Sequence, residues 1–218
     1  KEDSLRSPRF KPVLTVNPDV AIPACEEAVK LNPRTPRFHN QLARAYDMGE
    51  RHADAVRVLR IAADRGSSYA VASLGAYTYH GLGGMKRDYA QSRLWLEKAA
   101  ALGAVRAQKY LAYLDAQGVG APRNVQKAID LYNRAVAAGD TSSMAWLANL
   151  YVGGAPDLEK DFAKARELYQ RSADAEDPEG MHGLGMLAQY GYGEPVDFEK
   201  ARKWYEKAAA YDSAEGMF

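Results

Sequence analysis

Four blocks recur along the chain: LGAYTYHG (74–81), LAYLDAQG (111–118), LANLYVGG (147–154) and LGMLAQYG (184–191). The leading leucines Leu74, Leu111, Leu147 and Leu184 stand 37, 36 and 37 residues apart. A small residue follows each (Gly75, Ala112, Ala148, Gly185) and a glycine closes each (Gly81, Gly118, Gly154, Gly191). A fixed period in the twenties to forties is the signature of stacked supersecondary units, and it constrains the fold more than any single motif does.

A second block follows each first one: SRLWLEKAA (92–100), AIDLYNRAV (128–136), ARELYQRSA (165–173) and ARKWYEKAA (201–209). Both blocks read as amphipathic helices. Ala70, Leu74, Tyr77 and Gly81 share one stripe, and Leu94, Lys98 and Leu102 another, beside Trp95 and Ala99. Asp88, Asn124, Asp161 and Asp197 stand where an N-cap belongs. Gln91, three residues after Asp88, suggests a capping box. Gly66, Gly103 and Gly139 suit a left-handed corner after the second helix; Glu176 and Asp212 replace glycine there, so those corners are expected to differ. The small residue after each leucine would let a partner helix's aromatic ring cross closely. One such hairpin cannot bury its apolar face alone, whereas a stack makes a continuous core.

Upstream the period shortens to 34: Ala21 and Ala28 are echoed by Ala55 and Ala62, and Leu42, Ala43 and Tyr46 fill the slots of a first helix. Asn17-Pro18 opens a helix, Pro23 limits its regularity upstream, and Pro33 closes it. Residues 1–16, with Pro8 and Pro12, read as an extended arm. Residues 213–218 read as the start of a further first helix. With neither end polar-capped, the chain is expected to be a piece of a longer polypeptide, or to pair or self-associate through its ends.

These residues resemble two related families. Residues 17–66 are similar to the tetratricopeptide repeat, and 67–212 to four Sel-one-like repeats, clearest from Leu184 to Ala209. The resemblance implies an all-α solenoid, a right-handed superhelix of antiparallel helix pairs that holds other proteins. Such repeats serve bacterial regulators, secretion factors and host-interaction proteins, as well as eukaryotic quality-control adaptors; a bacterial cytoplasmic or periplasmic setting is the expectation. The function implied is a non-enzymatic scaffold or adaptor. The alternative is a regulatory or substrate-presenting arm of a larger multidomain protein, enzymes included.

Composition excludes little else. The net charge of +1 gives no global reason to expect nucleic acid, and no apolar run is long enough to span a bilayer. The loops GLGG (81–84), GVGA (118–121) and GYGE (191–194) look like phosphate loops, but no strand precedes them and no Lys-Ser/Thr follows. His39, His52, His80 and His182 are scattered with no metal-ligand spacing, and no metal or cofactor is expected. Cys25, among Ala21, Ile22, Ala28 and Val29, reads as a buried structural thiol. Trp95 and Trp204 read as core.

In the implied architecture the first helices line the concave face. The candidate binding positions there are Arg37, Asn40, Arg44, Tyr69, Tyr79, Arg106, Lys109, Tyr113, Trp146, Asn149, His182, Met186 and Gln189. Asn40 and Arg44 match part of the slot set with which tetratricopeptide domains grip a C-terminal carboxylate. The stripe is basic, amide-bearing and aromatic, which suits an acidic peptide or a C-terminal carboxylate as partner. Glutamate at Arg44 and Lys109 is expected to weaken binding without unfolding the stack.

Overall fold

The computed structural model describes residues 17–155 and 158–216, with side chains to Tyr211. The arm at 1–16, Pro156–Asp157 and the last two residues lie outside the described part. Among the described residues the chain forms eleven α-helices: α1 (Pro18–Leu31), α2 (Pro36–Met48), α3 (His52–Asp64), α4 (Ser68–His80), α5 (Tyr89–Ala101), α6 (Val105–Gln117), α7 (Val125–Ala137), α8 (Ser142–Gly153), α9 (Phe162–Asp174), α10 (Pro178–Tyr190) and α11 (Phe198–Gly216). Each packs on the next in sequence, and the first helices α6, α8 and α10 also touch across repeats. The result is a helical solenoid whose core is two adjoining clusters, one from Ile22 to Leu114 and one from Ala112 to Ala208, with Leu131 packed against both.

Within each of the last four hairpins the cap does two jobs. The side chains of Asp88, Asn124, Asp161 and Asp197 each accept from the amide three residues on. The backbone amides of the same four residues donate to carbonyls of the preceding helix, at Thr78, Asp115, Tyr151 and Ala188. These four acceptors lie four residues after the four leading leucines. The Asp88 amide is thus spent on Thr78, and the Gln91 side chain has no capping-box bond to make.

The corners between repeats share one geometry. Gly66, Gly103 and Gly139 adopt φ of 82°, 83° and 92°, and the residue after each bonds back to the carbonyl five residues earlier. Glu176 takes the same left-handed conformation at φ 63°, and Asp177 N bonds to Ser172 O as at the other corners. The expected difference at this corner is absent, because the hydrogen-bonded corner overrides the side chain's preference. At Asp212 the difference is larger than expected: α11 continues through it to Gly216, with no corner and no new helix.

The small residue of each first helix sits under its partner. A methyl on Gly185 would lie 2.6 Å from the Tyr205 ring, and one on Gly75 would lie 3.2 Å from Leu96 rather than from Trp95. Trp95 and Trp204 are half-buried rather than core, flanking it with Lys98 and Lys207 above their rings. On α5 the inward face is Ser92, Arg93, Leu96 and Ala99, so the Leu94–Lys98–Leu102 stripe looks outward, with Leu94 59% exposed. Pro23 is accommodated inside α1, which is helical from Pro18 onward with Asn17 as its cap. Cys25 is half-buried, and that burial pushes its thiol pKa up.

The loop glycines have a packing role. The second glycine of each pair rests on the first turn of the preceding repeat's second helix. A methyl on Gly83 would lie 2.6 Å from the His52 carbonyl oxygen, one on Gly120 2.6 Å from that of Tyr89, and one on Gly193 2.9 Å from Phe162 Cβ. Only a residue without Cβ permits that approach.

Candidate functional site

Residues of α2, α4, α5, α6 and α8 line a groove of about 890 Å³. Six of the thirteen candidate residues line it: Arg44, Tyr69, Tyr79, Arg106, Tyr113 and Trp146. Arg44 and Arg106 are exposed, and no carboxylate is among the lining residues. The aromatic wall is mutually supported. Trp146 meets Tyr113 edge-on at 5.4 Å and Tyr110 at 6.4 Å, while Tyr79 leans on Tyr89 at 5.0 Å. The Trp146 indole donates to Glu179 Oε2 at 2.7 Å, which fixes the ring at one end of the groove. Burial, with Tyr113 and Tyr89 nearby, pushes the Tyr79 phenol pKa up, so that phenol stays a neutral donor.

Four candidates are spent on the scaffold. Asn40 Nδ2 donates to Ser67 Oγ at 3.0 Å, and Ser67 caps α4 through the Ala70 amide. Lys109 Nζ donates to Ser142 Oγ at 2.6 Å, lies 3.9 Å from Asp140 and sits over the Trp146 ring. Asn149 accepts from the Tyr169 hydroxyl, and Gln189 accepts from that of Tyr205 at 2.6 Å. Each of these polar groups ties one helix to another. A glutamate at Lys109 would therefore disturb the stack, which corrects the expectation that this position can be reversed without structural effect.

The remaining three stand apart from the groove lining. Arg37 lies over Phe38, exposed His182 faces the Tyr205 ring at 5.1 Å, and Met186 packs against the core. Tyr110 lines the groove and was missed. It precedes Leu111 as Trp146 precedes Leu147, so the slot that singles out Trp146 also identifies it. Among the described residues no cluster of His, Cys, Asp or Glu could hold a metal, and no helix is long and apolar enough to cross a membrane.

Helical hairpins stacked in sequence order define an α-solenoid. The Sel1 repeat pattern matches at residues 68–103, 105–140, 141–177 and 178–210, and the chain belongs to the Sel1 repeat family. It is similar to a Sel1 repeat protein from Oxalobacter formigenes (25% identity, TM-score 0.72, 89% of this chain and 80% of that one). It is also similar to a protective antigen of uropathogenic Escherichia coli with an SLR fold (27% identity, TM-score 0.64, 87% of this chain and 40% of that one). Among curated proteins it is 30% identical over 149 residues to the ERAD-associated E3 ubiquitin-protein ligase component HRD3B of Arabidopsis thaliana, covering 68% of this chain but only 17% of that protein. Sel1 repeat proteins generally act in protein–protein interaction and are typically non-catalytic scaffolds.

Proposed function

We propose that this chain is a non-enzymatic scaffold that holds an acidic segment of a partner protein, or its C-terminal carboxylate, in the groove between Arg44 and Trp146. One observation carries this reading: two exposed guanidiniums share a groove with Tyr69, Tyr79, Tyr110, Tyr113 and Trp146, and no carboxylate lines it. Guanidinium takes carboxylate bidentately, and stiff aromatic rings supply contact area at low entropic cost. Anisotropy of labelled acidic peptides, free-acid and amidated, tests it on the intact chain. Arg44→Glu/Arg106→Glu is expected to weaken binding at least tenfold, and a loss confined to the amidated peptide marks carboxylate capture. Equal binding by the double variant and the parent chain sinks the reading.

A second reading rests on the 17% coverage of the plant ligase component. In it, these repeats present a partner to other parts of a larger protein. The gene structure around the repeats separates the two readings, and the groove serves both.

A further inference from the structure

The groove is rich in hydrogen-bond donors and poor in acceptors. Among the described residues no carboxylate and no carboxamide lines it. Its polar side chains are those of arginine, serine, tyrosine, histidine and tryptophan. A guanidinium only donates, and the Trp146 indole N–H is already given to Glu179. The carboxamides of the first helices, which could accept a peptide N–H, are engaged inside the scaffold. Asn40 Oδ1 accepts from Ser67 Oγ at 3.2 Å, Asn149 Oδ1 from the Tyr169 hydroxyl and Gln189 Oε1 from that of Tyr205. The buried Ser92 hydroxyl bonds the Gly75 carbonyl at 2.8 Å. Only exposed hydroxyl oxygens and the His80 ring are left to accept.

That balance selects among backbones. An extended peptide brings one N–H and one C=O per residue. The carbonyls suit this lining, whereas an N–H that loses water without gaining a partner weakens binding. Proline carries the carbonyl without the N–H. A proline-rich run also takes the polyproline II form, whose backbone makes no internal hydrogen bonds and leaves its carbonyls free. A helical ligand would close both groups into its own ladder and offer the groove's donors nothing but side chains.

The α6–α8 end is shaped for apolar rings. Tyr110 and Tyr113, 42% and 36% exposed, stand nearly perpendicular to Trp146, at 85° and 75°. Glu179 holds the indole by its N–H, and Lys109 sits over the ring, so this wall is fixed before a ligand arrives. Aromatic-lined grooves are the recurring receptors of polyproline II segments. Between Arg44 on α2 and Arg106 on α6 stand the phenols of α4, so cation and aromatic alternate along the lining.

We infer that the segment held in this groove is an acidic, proline-rich stretch of a partner protein in the polyproline II conformation. Its prolines lie against Tyr110, Tyr113 and Trp146, and its carboxylates meet Arg44 and Arg106. This rests on the reading of the groove as a site for an acidic segment and narrows it to one backbone form.

Two labelled peptides, acetylated and amidated, test it on the intact chain: four Glu-Pro-Pro triplets, and four Glu-Ala-Ala triplets of the same length and charge. The proline peptide is expected to bind at least about tenfold tighter by anisotropy, the cost of one or two unpaired N–H groups. Tyr110→Ser and Tyr113→Ser should each narrow that preference, while Tyr110→Phe and Tyr113→Phe, which keep the ring, should retain it. Arg44→Glu/Arg106→Glu should weaken both peptides alike. If the alanine peptide binds as well as the proline peptide and both still depend on the two arginines, the polyproline inference falls and the acidic-segment reading stands. A preference indifferent to both serine variants also overturns the inference. Binding of neither peptide, or binding indifferent to the arginines, sinks both.

Discussion

Arg93 on α5 and Asp115 on α6 form an ion pair inside the solenoid, 8% and 1% exposed. Lys127 on α7 approaches the other carboxylate oxygen at 3.5 Å, which satisfies its charge without making a regular hydrogen bond. Three helices of two repeats meet at this carboxylate. Asp115→Ala leaves the buried Arg93 guanidinium only Glu97 of its own helix, a half-exposed partner 3.6 Å from Nε, and is expected to cost up to about 3–5 kcal/mol. Arg93→Met with Asp115→Leu removes both charges and is expected to recover most of that loss. Urea unfolding of the single and double variants gives the coupling; additive losses would show that the pair is not a unit.

The corner at Glu176 is a place where the chain gives up stability. A side chain held in the left-handed region costs about 1 kcal/mol relative to glycine. Glu176→Gly restores the residue found at Gly66, Gly103 and Gly139. It is expected to raise the unfolding midpoint by about 2–4 °C, the shift that 1 kcal/mol gives in a chain of this size. Calorimetry that finds a lower midpoint would point instead to a role for the exposed carboxylate.

Two helical glycines make opposite expectations. A methyl on Gly183 would lie 2.2 Å from the Tyr169 ring, which is fully buried. Gly183→Ala overpacks that crossing and should cost about 1–3 kcal/mol. Gly153 ends α8 with nothing within 4 Å of its Cβ position. Gly153→Ala should stabilise by about 0.5–1 kcal/mol through helix propensity and the unfolded state. Denaturant midpoints of the two variants moving in the same direction would contradict this packing account.

The period made the hairpins, the four caps and the corner glycines legible, because each is a local signal repeated in register. What failed was cross-talk between repeats. Leu94, Lys98 and Leu102 share one stripe of the α5 sequence, yet α5 turns the neighbouring Arg93 inward for an acid on the next helix. Asn40, Lys109, Asn149 and Gln189 looked like groove residues because they are polar on first helices. Their partners, Ser67, Ser142, Tyr169 and Tyr205, lie 16 to 33 residues away in sequence. Spacing within one helix carries no information about such pairs. Tyr110 was within reach of the same argument that found Trp146.

The buried phenols set an alkaline limit. Burial pushes the pKa of Tyr132 and Tyr169 upward, and that of Tyr77 through burial together with its bond to Asp47. A raised phenol pKa stabilises the fold below the unfolded value of about 10, and the contribution is lost as pH climbs from there toward the folded value. Ultraviolet titration of the fourteen tyrosines should show a late class that ionises only with unfolding. A single transition near pH 10 with the helical signal intact would contradict the burial.

Lys109 and the two groove arginines separate architecture from recognition. Lys109 Nζ bonds Ser142 and faces Asp140 at the start of α8, with its side chain 12% exposed. Lys109→Glu sets a second carboxylate against Asp140 and should destabilise the stack by about 1.5–3 kcal/mol. Arg44 and Arg106 are exposed, and their reversal should leave stability within about 0.5 kcal/mol while weakening the capture of acidic peptides. The two effects are therefore expected to separate: Lys109→Glu shifts the denaturation midpoint, and Arg44→Glu/Arg106→Glu shifts peptide affinity at an unchanged midpoint. An Arg44/Arg106 variant that unfolds early would place those guanidiniums in the scaffold rather than in the groove's recognition of carboxylate.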